Sequence, residues 1–487
     1  MAEFRKILIA NRGEIAIRVM RAANEMGKST VAIFAEEDKL SLHRFKADEA
    51  YKIGEGLGPV ASYLNIKEII SVAKKAEVDA IHPGYGLLSE KPEFAKECGL
   101  AGIKFIGPTA ESMEKLGNKA NARKIAEKAG VPVIPASNIL PDNPEELVKI
   151  AKNIGFPLML KASWGGGGRG MRLINNIEEV EKNILEGKRE AENAFGNSES
   201  FLERYIKNAR HVEVQILGDK GGNIYHLWER DCSIQRRNQK VIERAPAPYL
   251  NDKQRDVVCE MATAICKQVR YECAGTVEFL MDINTNEFFF IEVNPRIQVE
   301  HTITEEVTGI DIVRAQIMLS EGSNLNDAIG KRNQSEIVCN GHAIQCRITT
   351  EDPLNNFIPD YGRITAYRGA TGMGIRLDGG TAYSGAIITR FYDSLLEKVT
   401  AWAPTPEDAI SRMDRALREF RIRGVSTNIS FVENLLKHKK FRDNLYTTKF
   451  IDETPELFQF SKRQDRATKL LNYIAKTTIE GHPEVKN

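Results

Sequence analysis

The sequence predicts a mixed α/β protein with several domains, and three observations lead to that prediction. The first 117 residues alternate short apolar strands with helices, which is typical of a parallel sheet covered by helices. After residue 207 the apolar runs have the length and spacing of strands, and the chain becomes β-rich from about residue 340. A chain of 487 residues is also long enough for about three domains.

The N-terminal elements follow from the positions of the apolar residues. Residues 7–10 and 31–35 form short apolar strands, and helical spacing lies between them. A second helix is predicted over residues 66–75. Asn118 then caps a helix that ends at Gly130, just before a Val-Pro pair.

A smaller unit follows over residues 132–206, and we predict that it is a mobile lid. Its strands are predicted at 156–162, 171–174 and 200–206, with a helix at 177–195. A hairpin and a further strand region follow, then a helix near 406–420 and a charged helical tail. The predicted domains are residues 1–117, residues 118–335 with the lid inside them, residues 336–450, and a tail over 451–487.

Composition excludes several classes of protein. Lys+Arg is 68 and Asp+Glu is 67, so the basic excess of a nucleic-acid-binding protein is missing. No apolar run approaches the roughly 18 residues of a membrane span, and the first residues lack a signal-peptide core. The seven cysteines include no CxxC pair, which indicates reduced thiols and a cytoplasmic protein.

The stretch KASWGGGGRGMR contains an unusual glycine loop between two predicted strands. Gly165, Gly167 and Gly170 fit the pattern GxGxxG, but a strand follows where a dinucleotide site needs a helix. Met171 stands where a Walker A loop needs lysine. The remaining interpretation is a hairpin whose backbone N–H groups approach a phosphate chain, and the alternative is a flexible surface hairpin.

Two lysines lie where a phosphate would be a good partner. Lys161 ends an apolar strand directly before the glycine loop, and a buried lysine needs an anion. Lys119 lies in the first turn of a helix, the unfavourable end for a cation by roughly 0.3–1 kcal/mol unless an anion binds there. Each lysine alone is compatible with simple exposure to solvent, but together with the loop they favour a polyphosphate ligand.

A predicted hairpin brings two carboxylates together. If its turn centres on Thr285, Glu278 lies opposite Glu292, and Asn294 follows on the same face. At about 4 Å and an effective dielectric near 20 the repulsion is roughly 4 kcal/mol. A magnesium or manganese ion with oxygen ligands would convert that repulsion into binding. The alternative is a solvated pair, which the apolar flanks disfavour.

Several longer motifs resemble those of the ATP-grasp enzymes and, more narrowly, of the biotin carboxylases. They are ILIANRGEIAIR, IHPGYGLLSE, FIGP, KASWGGGGRGMR, RHVEVQILGD, ERDCSIQRRNQKVIERAPAP, EVNPRIQVEHTITEE and AIQCRI. The variants KADEAY, QVEHTITEEVTGIDIV, TTEDP, FRIRGVSTN and KRQDRATKLL resemble the pyruvate carboxylase branch. Together they extend the resemblance over essentially the whole chain.

The resemblance implies an α/β ATP-grasp fold with a Rossmann-like N-terminal domain, a lid and a β-rich C-terminal biotin carboxylase domain. It also implies ATP-dependent carboxylation of biotin with bicarbonate, through carboxyphosphate. The implied ATP-binding residues are Lys119, Lys161, Gly165, Gly166, Gly167, Gly168, Glu203, Ile206, His211, Gln235 and Asn238. The implied ligands of Mg²⁺ or Mn²⁺ are Glu278, Glu292 and Asn294.

The remaining implied roles concern bicarbonate and biotin. Bicarbonate would be bound by Lys240, Arg296, Gln298 and Val299. Glu300 would be the general base, and Arg347 would stabilise the enolate of biotin. The catalytic set is thus Lys240, Arg296, Glu300 and Arg347.

Alternation along the strands agrees with these roles. If EVNPRIQVE stays extended, its five polar residues from Glu292 to Glu300 all face one side. Arg347 shares a strand face with Gln345, while Ile344 and Cys346 take the other. Without the family, an ordinary salt bridge explains Arg347 equally well.

Two departures from the family pattern bear on function. Asn238 stands where many relatives have histidine, which puts a nucleotide or bicarbonate contact there in doubt. No AMKM-like biotinylation motif is found, so we expect the biotin carrier and the carboxyltransferase on other domains or chains. The chain would then be the N-terminal portion of a longer enzyme, or a separate subunit, unable to carboxylate pyruvate alone.

The resemblance also implies assembly and regulation. It implies a homodimer through the carboxylase domain, a tetramer for a full-length enzyme, and acetyl-CoA as activator. Acetyl-CoA phosphates would meet Arg421, Arg463 and Arg466, whose alternative is a solvated basic face. Competing functions are the same half-reaction in an acyl-CoA carboxylase, a different ATP-grasp ligase, and a nucleotide sensor without catalysis.

Overall fold

The structure is a computed structural model that describes residues 3–163, 171–460 and 466–481. Its N-terminal part is a parallel sheet covered by helices, as the alternation predicted. The strands are β1 (Lys6–Ile9), β2 (Ser29–Phe34), β3 (Glu49–Lys52), β4 (Ala80–His82) and β5 (Lys104–Phe105). The helices are α1 (Gly13–Glu25), α2 (Leu42–Lys46), α3 (Pro59–Tyr63), α4 (Ile66–Lys75), α5 (Pro92–Leu100) and α6 (Ala110–Gly117). The sheet order is β3-β2-β1-β4-β5, and all pairs are parallel.

The unit predicted as a lid has its own small sheet and its own core. It follows α7 (Lys119–Lys128) and contains α8 (Pro144–Ile154), β6 (Leu158–Ala162), β7 (Arg172–Ile174), α9 (Val180–Phe195) and β8 (Ser200–Arg204). The antiparallel order is β7-β6-β8. Leu158, Leu160, Ile184 and Leu202 are buried in a cluster drawn from this unit alone. A separate core is what a unit that moves as one body requires, and its mobility stays a prediction.

An eight-stranded sheet forms the body of the molecule. The elements of the central region are β9 (Ala209–Gly218), β10 (Ile224–Arg236), β11 (Gln239–Ala245), α10 (Asp252–Gln268), β12 (Cys273–Asp282), β13 (Phe288–Asn294), α11 (His301–Thr308), α12 (Ile312–Glu321) and α13 (Leu325–Ile329). The later strands are β14 (His342–Thr349), β15 (Glu351–Asp352), β16 (Ile358–Pro359), β17 (Gly362–Arg363), β18 (Ala366–Arg368), β19 (Ile375–Gly379), β20 (Ile387–Ile388), β21 (Leu395–Ala403) and β22 (Arg421–Arg423). The later helices are α14 (Pro406–Glu419), α15 (Ile429–Lys437), α16 (Lys439–Arg442) and α17 (Arg466–Glu480).

This sheet runs across the domain boundary predicted near residue 336. Its order is β13-β12-β9-β10-β11-β14-β21-β19, and β11 pairs with β14 so that Ile242 lies opposite Cys346. The central and C-terminal regions therefore contribute side chains to one continuous surface. The division of the chain into domains stays a prediction.

The hairpin of β12 and β13 has the predicted pairing for a reason that the sequence did not show. Glu278 lies opposite Glu292, but Phe279 lies opposite Phe290, so β13 carries one extra residue between these pairs. A β-bulge of this kind shifts the register by one residue. The shift brings the two carboxylates opposite each other although the turn is not centred on Thr285.

Two further features differ from, or add to, the predictions. In the region predicted to be β-rich from about residue 340, the segment GRITAYRG forms two short strands, β17 and β18, which pair with β20 and β22 respectively. Among the described helices, none has the length and apolar character needed to cross a bilayer.

Candidate active site

Lys240 is the centre of a buried cluster of charges on the large sheet. Its Nζ lies 2.6 Å from Glu213 Oε2, 3.1 Å from Glu278 Oε1 and 2.6 Å from Glu300 Oε1. Burial alone would lower the pKa of Lys240, but the three carboxylates raise it well above its ordinary value. The lysine is therefore a fixed positive charge among carboxylates from β9, β12 and the turn before α11.

Glu300, the predicted base, is ionised in this setting. Its second oxygen accepts a hydrogen bond from Arg347 Nη2 at 3.0 Å. Burial would raise the pKa of the Glu300 carboxyl, but Lys240 and Arg347 outweigh burial and lower that pKa well below its ordinary value. The carboxylate can accept a proton once one of these cations turns to a substrate.

Arg347 bridges two glutamates, and its strand face is the predicted one. Its Nε donates to Glu243 Oε1 at 2.6 Å, and Gln345 Nε2 donates to Glu243 Oε2 at 2.9 Å. The shared partner shows that Arg347 and Gln345 lie on one face, while Cys346 packs in the core. Arg347 is indeed ion-paired, and because Glu300 is one of its partners the pairing places it beside the predicted base.

The segment after β13 does not stay extended, so that part of the prediction is wrong. The strand ends at Asn294 because Pro295 has no N–H for the ladder. The polar side chains of this segment nevertheless meet at one carboxylate. Asn294 Nδ2 and Gln298 Nε2 both donate to Glu278 Oε1, at 2.9 and 2.8 Å. Arg296 turns away from this carboxylate and pairs with Glu90 through Nε at 3.2 Å.

Val299 is held through its backbone. Its carbonyl oxygen accepts a hydrogen bond from Lys398 Nζ at 3.1 Å. Lys398 is buried and belongs to β21 in the C-terminal region. This hydrogen bond connects the turn that carries the predicted base to β21, in the C-terminal part of the large sheet.

The predicted metal ligands form an oxygen-rich set. Glu278 and Glu292 are cross-strand neighbours, and Asn294 contacts Glu278. Glu292 Oε2 lies 2.8 Å from Lys119 Nζ, and Glu278 Oε2 lies 2.9 Å from His211 Nε2. Two carboxylates and an amide oxygen suit Mg²⁺ or Mn²⁺, so these residues fit a divalent ion. Their role as ligands stays a prediction.

Another acidic grouping overlaps this set. Within the described residues, His211, Glu213 and Glu278 offer ligand atoms that all lie within 4.8 Å of one another, as do Glu213, Cys232 and Glu300. Both groupings share their carboxylates with Lys240. They are part of the same charge cluster and do not form a second centre.

On the side predicted to bind nucleotide, the predicted residues pair with one another. Lys161 on β6 forms an ion pair with Glu203 on β8. Glu203 is therefore the anionic partner that a buried lysine at this position was predicted to need. Gln235 Nε2 lies 2.8 Å from His211 Nδ1. Ile206 follows the end of β8 and is partly buried.

Three sets of predictions lie partly or wholly outside this cluster. Asn238 is exposed in the turn between β10 and β11, where its φ of +62° suits asparagine. The loop residues Gly165, Gly166, Gly167 and Gly168 lie outside the described residues. Arg421 is exposed on β22, Arg463 lies outside the described residues, and only the backbone of Arg466 is described, at the start of α17. The acetyl-CoA role stays a prediction.

Sequence reasoning missed three buried charges of the cluster. Glu213 and Arg230 lie opposite each other on β9 and β10, and Glu243 lies on β11. All three side chains are fully buried. The available signal was a charged residue inside a strand. Pairing these charges required the strand register, which the sequence does not show.

Three family models match the chain in sequence order. Residues 3–113 match "Biotin carboxylase, N-terminal domain", residues 118–328 match "Carbamoyl-phosphate synthase L chain, ATP binding domain", and residues 345–453 match "Biotin carboxylase C-terminal domain". Together they account for the N-terminal sheet, the central region and most of the C-terminal region.

Similar proteins include several pyruvate carboxylases. That of Bacillus subtilis is 53% identical over 481 residues, covering 99% of this chain and 42% of its own length. The chain thus spans about two fifths of the curated relatives it matches. A solved Rhizobium etli pyruvate carboxylase with the allosteric activator acetyl coenzyme A has a TM-score of 0.93 and 63% identity, covering 100% of this chain and 43% of that one.

A third similarity covers a complete domain. The biotin carboxylase domain of Hydrogenobacter thermophilus 2-oxoglutarate carboxylase was solved as a dimer with MgADP, ADP and bicarbonate. It is 45% identical with a TM-score of 0.91, and the match covers 95% of this chain and 100% of that one. Because the match spans that entire domain in sequence and in fold, the chain belongs to the biotin carboxylase family, within the ATP-grasp enzymes.

Proposed function

We propose that this chain catalyses the ATP-dependent carboxylation of biotin with bicarbonate. The observation that carries the proposal is the buried cluster in which Lys240 and Arg347 hold the ionised Glu300. In the proposed reaction a bicarbonate oxygen attacks the γ-phosphorus of ATP, ADP leaves, and carboxyphosphate forms. The bond between its carboxyl carbon and the phosphate oxygen then breaks, that carbon bonds to a nitrogen of biotin, and the released phosphate takes the proton that this nitrogen loses.

The chain's own residues would supply the base and the positive charge for this reaction. Glu300 would take the bicarbonate proton when Lys240 turns from the carboxylate to the substrate, because that movement removes the charge that lowers its pKa. Arg296, Gln298 and the turn at Val299 would complete the bicarbonate site. Arg347 would face the negative charge that develops on biotin.

Nucleotide binding would use the lysines that now pair with glutamates. Lys119 and Lys161 would exchange Glu292 and Glu203 for phosphate oxygens, beneath the loop at Gly165–Gly168. Glu278, Glu292 and Asn294 would hold Mg²⁺ or Mn²⁺, which when bound neutralises phosphate charge. The nucleotide site would be lined by His211, Gln235, Asn238, Glu203 and Ile206.

The final acceptor is proposed from the relatives. Pyruvate is favoured because the pyruvate carboxylases of Bacillus subtilis and Rhizobium etli match this chain at 53% and 63% identity, against 45% for the 2-oxoglutarate carboxylase domain. The alternative is the same half-reaction in an acyl-CoA carboxylase. Biotin would arrive on a carrier from another domain or chain, which would also supply the carboxyltransferase.

The same relatives support proposals on assembly and setting. We propose a homodimer, because the similar domain of the 2-oxoglutarate carboxylase was solved as a dimer. Acetyl-CoA activation near Arg421, Arg463 and Arg466 is proposed from the Rhizobium etli enzyme, for which acetyl coenzyme A is the allosteric activator. All seven cysteines are free thiols, six of them buried, which supports a reducing compartment such as the cytoplasm.

The proposal predicts phosphate release from MgATP that requires bicarbonate and rises with free biotin. Glu300→Gln keeps the shape of the side chain but removes the base, so turnover should fall by about 10²–10⁴-fold while MgATP binding remains. Phosphate release and nucleotide binding are the two measurements.

Glu397→Gln is the matched control for this experiment. Glu397 is a similarly buried glutamate on β21 that lies outside the cluster and accepts a hydrogen bond from the Tyr367 hydroxyl. The Glu397→Gln variant should therefore keep the activity. ATP cleavage by the unaltered protein that ignores both bicarbonate and biotin would contradict the proposal.

A further inference from the structure

Arg230 uses its whole guanidinium group inside the sheet. The side chain is fully buried on β10, and none of its surface is exposed. A guanidinium has five N–H donors. Five bonds leave it, to Glu213 Oε1 at 2.5 Å, Gln215 Oε1 at 2.8 Å, Thr304 Oγ1 at 3.0 Å, Thr276 Oγ1 at 3.1 Å and Gln298 Oε1 at 2.8 Å. The group is fully satisfied and touches no open surface.

The bond to Gln298 determines which end of that amide faces the cluster. Because Oε1 accepts from Arg230, Nε2 points to the other side and donates to Glu278 Oε1 at 2.8 Å. The reversed amide would place its N–H groups against the guanidinium and its oxygen against a carboxylate. Both contacts would be repulsive, so Arg230 selects one orientation of Gln298.

Arg230 also affects the charge at Lys240. Glu213 binds Arg230 through Oε1 and Lys240 through Oε2 at 2.6 Å. With Arg230 present, one carboxylate is shared between two cations. Without it, Lys240 would be the one cation beside the Glu213 carboxylate among the described residues and would be held more firmly away from a bound anion.

We propose that Arg230 is a positioning residue for bicarbonate, which acts by presenting the amide donor of Gln298 and by sharing Glu213 with Lys240, so that this carboxylate holds Lys240 less firmly. This inference rests on the proposed function, because it assumes that bicarbonate binds in the Lys240 cluster. Arg230 itself has no donor left for a substrate. It acts only through these two side chains.

The first test is Arg230→Lys, which keeps the charge but loses the five-donor fork. The loss of one ordered hydrogen bond to bicarbonate should raise its KM about tenfold, while the KM for MgATP should change less than about twofold. Arg244→Lys is the matched control. Arg244 is equally buried on β11 but binds His342, Asn444 and Tyr446, so its variant should lose stability without a change in bicarbonate KM.

A double-mutant cycle with Gln298→Glu separates positioning from general damage. Glutamate has two equivalent oxygens and no amide to orient, so Arg230→Lys should raise the bicarbonate KM less in that background than in the unaltered protein. Additive effects in the cycle would overturn the inference, as would a bicarbonate KM for Arg230→Lys that equals that of Arg244→Lys.

A milder variant covers the case in which Arg230→Lys does not fold. Thr304→Val removes one anchor of the guanidinium and leaves its charge, so bicarbonate KM should rise about threefold. An unchanged KM in a folded Thr304→Val protein would also overturn the inference. Absence of any bicarbonate-dependent turnover in the unaltered protein is a different outcome, since it would contradict the proposed function itself.

Discussion

At the scale of single residues, His82 shows how a buried side chain couples the fold to pH. Its Nδ1 accepts the backbone N–H of Gly84 at 3.0 Å, and its Nε2 lies 3.2 Å from Gln316 Oε1. The ring is therefore neutral, with its proton on Nε2. Burial, together with the nearby charge of Arg18, lowers the pKa of His82 to about 4.

This pKa predicts the direction of a pH effect on stability. Below the ordinary value of 6.5 the unfolded His82 binds a proton that the folded ring does not. Protonation therefore stabilises the unfolded state relative to the folded state. The free energy of unfolding should be highest above pH 6.5 and should fall as the pH approaches 4. His82→Gln should reduce that slope by up to about 1.4 kcal/mol per pH unit, measured by urea unfolding at several pH values.

A variant that removes no titratable group provides the control. Asn143→Ala changes only the cap of α8, so it should leave the slope below pH 6.5 close to that of the unaltered protein. Equal slopes for His82→Gln and the unaltered protein would show that His82 is not buried as a neutral ring.

Residue-level prediction from the sequence worked where the signal was local. The helix cap at Asn118, the lysine that follows it and the pair of Glu278 and Glu292 all came from positions within one helix or hairpin. Arg230 and Glu213 were missed because they are 17 residues apart and meet only through the register of β9 and β10. A charge inside a strand reveals that a partner must exist, but not which one.

At the scale of elements, α7 places a lysine beside a predicted metal ligand. Asn118 caps this helix by accepting the backbone N–H of Asn121 at 3.0 Å. Lys119 is then held in the first turn with its Nζ 2.8 Å from Glu292 Oε2. The cap thus fixes both the start of the helix and the position of the lysine.

Removing this cap should affect stability and nucleotide binding together. Asn118→Ala should lower the free energy of unfolding by about 1 kcal/mol, and it should raise the KM for MgATP because Lys119 is less well held. Asn143→Ala is the control, since Asn143 caps α8 through Glu145 N at 2.9 Å and carries no predicted ligand. A similar stability loss with unchanged MgATP KM is expected there. An unchanged KM for MgATP in Asn118→Ala would contradict the proposed link between the helix cap and the position of Lys119.

Elements with a strong period were well predicted, and irregular ones were not. The helix predicted over residues 66–75 coincides with α4, because its apolar positions and its cap agree. The β-rich region predicted from about residue 340 contains short strands such as β17 and β18, which pair with different partners and whose bounds no period in the sequence marks. The bulge in β13 was likewise invisible, because no composition signal marks an extra residue in a strand.

At the scale of the whole molecule, three distant segments meet behind the candidate active site. Lys398 of β21 lies with its Nζ 3.0 Å from Glu14 Oε2, at the start of α1, and 3.1 Å from the carbonyl oxygen of Val299. Tyr85, in the turn after β4, donates its hydroxyl to the other oxygen of Glu14. The sequence predicted the regions involved, but their docking depends on contacts between residues hundreds of positions apart.

This contact predicts how strongly the regions depend on one buried ion pair. Lys398 is 0% exposed, so Lys398→Met leaves the Glu14 carboxylate buried without its cation. Breaking such a pair costs about 3–5 kcal/mol, whereas replacing both charges costs much less. Lys398→Met should therefore lower the melting temperature clearly, and the double variant Glu14→Gln/Lys398→Met should recover part of that loss, since glutamine can still accept from Tyr85.

The comparison that decides this point uses a surface pair of similar geometry. Arg332 is 89% exposed and pairs with Glu336 at 2.5 Å, so Arg332→Ala should lower the melting temperature far less than Lys398→Met. If Lys398→Met were as mild as Arg332→Ala, the buried pair would not hold the regions together. If the double variant were less stable than Lys398→Met alone, the loss would come from packing at β21 and not from an unpaired charge. Only partial recovery in the double variant agrees with a buried ion pair that joins α1, β21 and the turn before Glu300.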